Sequence, residues 1–228
     1  MRQRLFALLI VMGTFVGLSP TAATSVTSPT DEDELIAHST LVFTRAVTTP
    51  AAAIPAAVLL RATGIAIAPA TVKDGRRYYG RGIVSARGAS PDHWTPPAVI
   101  AFEGAIPLDL ESDRLDFIVV AQTQRGLDYL VQRRFDSAGA HAIAAGALGH
   151  SSPVRINADL LAYTQFDAYF AGVTIDEWAV AELAKSNAKL YGRPYSTADI
   201  VRGAGFFHLP SSARRWRDTV AEYFRDMT

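Results

Sequence analysis

The chain has 228 residues, 22 basic and 22 acidic, so its formal net charge is zero; 49% of it is hydrophobic and it contains no cysteine. That length fits one ordinary domain with a real core, the hydrophobicity excludes global disorder, and the charge balance supplies no global field to attract nucleic acid or a membrane. Without cysteine there are no disulfides, thiolate metal sites, cysteine nucleophile or lipid-modified cysteine.

Arg2 and Arg4 precede an uncharged run from Leu5 to Leu18, and small residues follow through Ala23. These fourteen residues fall short of the ~20 needed to span a bilayer, so 1–23 reads as a secretory signal peptide and 24–30 as a flexible leader. Cleavage removes Arg2 and Arg4 and leaves 20 basic against 22 acidic residues. The expected location is the bacterial periplasm or the exterior.

"DEDELIAHSTLVFTRAV" opens with acids that suit the positive end of a helix dipole, and its apolar residues drift with helical spacing. It lacks the oxygen spacing of a calcium loop. A short helix is expected from Pro55 to Ala62, ended by Gly64. "IAIAP" predicts a brief strand, and Asp74-Gly75 a hairpin turn before the β-prone "RRYYGRGIVSARG". Gly80 and Gly82 lack dinucleotide-binding spacing and read as a bulge or a close backbone approach.

Pro96 and Pro97 cannot donate to a ladder and push the preceding residues extended, so Trp94 leads into a strand. Strands are predicted at Ala98–Glu103, Leu115–Ala121, His141–Ala147, Leu160–Gln165 and Tyr169–Ile175. Between two of them, "TQRGLDYLVQRRF" puts Leu127, Leu130 and Val131 on one helical face. "TIDEWAVAELAKSNAKLYG" reads as one helix, with acids Asp176 and Glu177 first, Val180, Leu183, Asn187 and Leu190 along a face, and Gly192 as its stop. A last amphipathic helix over 211–228 aligns Trp216, Val220, Phe224 and Met227. Strands followed by helices give α+β.

Catalytic signatures are absent. There is no nucleophile elbow, phosphate loop or metal-binding helix, and "GALG" at 146–149 has alanines rather than basic neighbours. None of His38, His93, His141, His150 and His208 is spaced as a helical metal pair. Ser151, His150 and Asp159 are close in sequence, which is poor evidence for a hydrolytic trio. No cofactor or metal is expected.

The blocks "IPAAVLLRATGIAIAPATVKDGRRYYGRGIVSARG", "HWTPPAVIAFEG", "GALGH", "YFAGVTID" and "NAKLYGRPYSTADIVRG" resemble, in order and spacing, a SYLF domain over about residues 38 to 203. With flanking elements the domain is set at 31–210. The resemblance implies an antiparallel, barrel-like curled sheet with packed helices. It also implies phospholipid binding, with phosphoinositides as eukaryotic ligands and actin as a partner of yeast members, while bacterial relatives are often exported. Two segments depart from the family pattern: "GAIPLDLE" from Gly104, and "FDA" at Phe166 to Ala168.

The expected function is thus an exported, non-catalytic protein that binds an anionic phospholipid or membrane surface, with no nucleic acid and no actin partner. A structural or protein-interaction module of the envelope is the alternative, and an unrecognised hydrolase comes third. Candidate lipid contacts are Lys73, Arg76, Arg77 and Arg81 about the hairpin, and Arg214, Arg215 and Arg217 at the start of the last helix. Those helix arginines sit at a positive dipole end, unfavourable unless an acid such as Asp218 or an external anion offsets them. Trp94 is foremost structural, and its ring also suits an apolar–wet interface.

Overall fold

The computed structural model describes residues 32–48, 54–90, 93–106, 112–131, 144–145, 158–166, 169–203, 205 and 209–227. The expected signal peptide, leader, "GALG" loop, His141, His150, Ser151 and His208 lie outside them, as does most of the departure at 104–111 and the 167–168 part of the other.

Helix α1 (Glu32–Thr48) and the short α2 (Ala56–Leu60) lead into a hairpin of β1 (Gly64–Asp74) and β2 (Arg77–Ala86). The turn falls where Asp74-Gly75 places it: Asp74 pairs with Arg77, and Gly75 takes a positive φ of 61°. β1 is far longer than "IAIAP". It continues past Pro69 because the chain bulges between Ala68 and Thr71, where the Ala70 N–H, lost to the ladder, donates to Asp116 Oδ1 at 2.7 Å. Opposite this irregularity sits Gly82, where a side chain would collide with the Ile67 carbonyl. Close backbone approach therefore explains this glycine.

β3 (Ala98–Ala105) starts directly after the two prolines, and β4 (Arg114–Ala121), α3 (Gln124–Val131), β5 (Ala144–Ala145), β6 (Leu160–Phe166) and β7 (Tyr169–Gly172) follow. β5 is shorter in the described residues than the predicted 141–147 strand, and β7 stops three residues before Ile175. The predicted helix over 174–192 divides in two. Asp176–Glu182 is strand β8, and only Ala184–Tyr191 is helical, as α4; α5 (Thr197–Val201) and α6 (Ser211–Asp226) complete the chain. Acids followed by spaced apolar residues suit either state, and the open edge of β3 decides: its backbone pairs with β8 from Ile100↔Glu182 to Phe102↔Val180. Gly192 does end α4, with φ 69°.

The eight described strands form one sheet in the order β5-β6-β4-β1-β2-β3-β8, with β7 also on β6. All pairs are antiparallel except β5–β6. The fold is α+β as expected, but the sheet is not a closed barrel: among the described residues no pairing joins β8 back to β5, β6 or β7.

Both faces of the sheet are buried, which is why its central strands read as continuous apolar runs. The two faces pack against different helices. Ile65, Ile67, Ile83, Val99, Ile118 and Val120 point into a core shared with α1 and α6, where Phe43, Trp216, Val220 and Phe224 are at most 1% exposed. Across the sheet, Ala66, Ala68, Ala86, Ala98, Ala121 and Ala162 face α3 and α5. Gly64 pairs with both Ala86 and Ala121. This row of small residues lets α3 press close, and a Cβ at Gly64 would lie 2.6 Å from Leu127 Cδ1. Helix α6 is integral to the body, since its predicted stripe fills the core under α1.

Candidate functional site

Trp94 sits where the proline argument placed it, bridged to Arg87 just before β3, but its ring belongs to the interior. It is 1% exposed and tilts against Phe224 at 5.0 Å between ring centroids. The Arg87 guanidinium lies over both rings, 5.6 Å from Trp94 and 4.5 Å from Phe224, and donates to the Leu60 carbonyl at 2.7 Å. A lipid cannot reach this indole in the folded chain. Thr95 fixes the backbone alongside: its N–H donates to the Ala86 carbonyl at 2.9 Å, and its Oγ1 accepts from the Ala86 N–H at 2.9 Å.

The basic hairpin does not gather its charges into one free cluster. Arg77 is held by Glu103 of β3 and Glu177 of β8. Arg81 donates to Glu32 Oε1 at 2.8 Å and to Ser186 Oγ at 3.1 Å, and the Lys189 ammonium lies 2.5 Å from Glu32 Oε2. Burial pushes the Glu32 carboxyl up, but hydrogen bonds from Lys189, its own backbone, Ser186 and Arg81 outweigh it and hold the group at about 2. Two of the four candidate cations thus serve the fold, joining α1, α4 and three strands. Arg76, at the exposed tip, remains turned to solvent beside exposed Gly75, and Lys73 is half-buried. Tyr79, 40% exposed, occupies the same end of the strand.

At the start of α6, Arg217 pairs with Asp218 at 3.2 Å, the acid that the dipole argument called for. Arg214 donates to the Leu209 carbonyl at 3.3 Å, and Arg215 is exposed. Ser212 donates to Asp33, which ties the beginnings of α6 and α1 together.

The sequence reading missed a pocket at the opposite end of β2. It has a volume of about 500 Å³ and opens between the Arg87–Ala89 segment, His93, Thr95, α3 and α5. Its walls mix apolar side chains, among them Leu127, Val131 and Val201, with His93, Asp128 and Arg202. Those polar residues lie far apart in the chain, so no local motif announces them. Asp159 accepts from Thr123 at 2.6 Å and from Arg125 Nε at 2.7 Å, while Ser151 and His150 of the considered trio lie outside the described residues. Among the described residues no three His, Asp or Glu side chains gather as a metal set, and no helix is long and apolar enough to cross a membrane.

Residues 111–223 match the family model described as Las17-binding protein actin regulator, Ysc84. That match takes in most of α6 and starts after the first two sequence blocks quoted above. The chain is 30% identical over 161 residues to LAS seventeen-binding protein 3 of Saccharomyces cerevisiae, covering 66% of this chain and 35% of that protein. It is 29% identical over 161 residues to Protein YSC84 of the same yeast, covering 66% and 34%. The chain spans about a third of the length of these relatives. No solved structure matches it.

Proposed function

The chain belongs to the SYLF-domain family, and on that premise we propose that it is an exported, non-catalytic phospholipid-binding protein of the bacterial cell envelope. Family membership is the observation that carries this reading. The charged start and short apolar run of residues 1–23 support export. The surface cations support an anionic headgroup as ligand: Arg76 at the hairpin tip, with Arg214 and Arg215 at the positive end of the α6 dipole. Arg77, Arg81 and Arg217 contribute less, because each already faces a carboxylate.

Vesicle co-sedimentation tests the reading. The protein should sediment with phosphatidylglycerol vesicles more than with phosphatidylcholine vesicles, and salt should weaken the difference. Arg76→Glu combined with Arg215→Glu should remove the anionic preference. Equal sedimentation with both vesicle types, or with neither, would end the proposal.

Two names favour a second reading, a protein-binding module: the family model is described as a Las17-binding protein and actin regulator, and one relative is named LAS seventeen-binding protein 3. An exported protein would not meet those partners, so actin is not proposed here. Micromolar co-sedimentation with actin filaments at physiological salt would reverse that choice.

A further inference from the structure

From the pocket between α3 and α5 we infer a second binding site, one for a phosphodiester that also bears a primary amine, as in a glycerophosphoethanolamine group. It lies at the far end of β2 from the hairpin tip, ten strand residues away or about 30 Å, and does not depend on the surface cations proposed above. Its volume of about 500 Å³ falls within the ~300–1,000 Å³ range of small-ligand sites.

Three charged residues line this pocket, and one of them, Arg87, turns its guanidinium to the Leu60 carbonyl and the Trp94 and Phe224 rings, which leaves two of opposite sign on different helices. Asp128 projects from α3 and Arg202 caps the end of α5, and both are exposed. The Asp128 carboxylate accepts from Gln124 at 3.0 Å, and no ion pair joins it to Arg202. Opposite charges that line one pocket without pairing suit a ligand carrying both signs. Arg202 would take the phosphate, to which a guanidinium offers paired donors, and Asp128 the ammonium. His93 also lines the pocket. Its position is built rather than incidental: its ring packs against the backbone at Gly88, its carbonyl accepts from the Gly88 N–H at 2.6 Å, and its backbone N–H donates to the Ser90 carbonyl at 3.0 Å. Between the charges, Leu127, Val131 and Val201 offer apolar surface to the methylenes of the ligand.

The scaffold beneath is stiff. Ala86 and Thr95 are locked by reciprocal backbone and hydroxyl hydrogen bonds, and Leu127 rests on the Gly64 backbone. A pocket that is already formed binds without a large ordering penalty.

Calorimetric titration of the full chain with sn-glycero-3-phosphoethanolamine tests the site, with glycerol 3-phosphate and ethanolamine as half-ligands. The whole compound should saturate and bind at least about tenfold more tightly than either half. Arg202→Glu and Asp128→Asn should each weaken it about tenfold or more, whereas Arg76→Glu should leave it unchanged. Both pocket residues are exposed, so circular dichroism and melting temperature should match the parent. Equal, non-saturating heats from all three compounds would overturn the inference, as would unchanged affinity in both pocket variants. Vesicles of phosphatidylethanolamine against phosphatidylcholine distinguish the source: a preference lost in Asp128→Asn, the residue that takes the amine by which the two lipids differ, assigns a lipid headgroup, and saturation by the soluble compound alone assigns a free phosphodiester. Saturation that survives when anionic-vesicle binding fails would remove the surface reading and keep this one. Anionic-vesicle binding with no response to the soluble compound or to phosphatidylethanolamine would do the reverse.

Discussion

The two ends of β2 invert what their sequences suggest. The hairpin end is conspicuously basic, yet in the fold Arg77 and Arg81 are spent on Glu103, Glu177 and Glu32. The other end, "IVSARG" running on to Trp94, looks like plain core, yet it borders a pocket whose acid and base do not meet. A run of like charges in the chain therefore says little about a free field. Partners arrive from elsewhere in the sequence, 26 and 100 residues away for Arg77, and cancel it.

Removing the pillar beneath the pocket end breaks the comparison most forcefully. Trp94→Ala empties a site packed by Phe224 and capped by Arg87, so urea denaturation should show a loss of about 3–5 kcal/mol. Unchanged stability together with lost vesicle binding would instead return Trp94 to the surface as a lipid contact.

A smaller effect comes from the Glu32 junction, which spends the basic end on structure. Glu32→Gln should cost about 2 kcal/mol at neutral pH, because two cations lose their shared carboxylate. Its pH dependence has a definite sign. The folded carboxyl sits at about 2 against an ordinary value of 4.5, so its contribution is complete above about 4.5 and disappears as pH falls through 2. Denaturation curves of parent and Glu32→Gln should thus differ at pH 6 and converge towards pH 2. A gap that stays constant across that range would mean that the ion pairs do not stabilise the fold.

The smallest effect sharpens the comparison within the hairpin itself. Arg76→Glu should leave the melting temperature unchanged, while Arg77→Glu should lower it by setting a third carboxylate beside Glu103 and Glu177. Equal melting temperatures would show that the Arg77 pairs are too screened to matter.

Elements whose signals are local were legible in the chain. The acids of α1, the Asp74-Gly75 turn, the prolines before β3 and the stripe of α6 each act through backbone torsion, dipole or one-sided burial, which nearby residues settle among themselves. "IAIAP" likewise announced a strand, although not that its isoleucines would face α1 while its alanines made room for α3. The segment 174–192 failed because its pattern fits helix and strand alike, and the choice rests on hydrogen bonds to β3, some 75 residues earlier in the chain. Charge pairing and the pocket failed for the same reason. Sequence determines which groups are cationic, apolar or turn-forming; only the tertiary structure decides which of them meet, because ion pairing and burial depend on distances that long-range strand pairing sets.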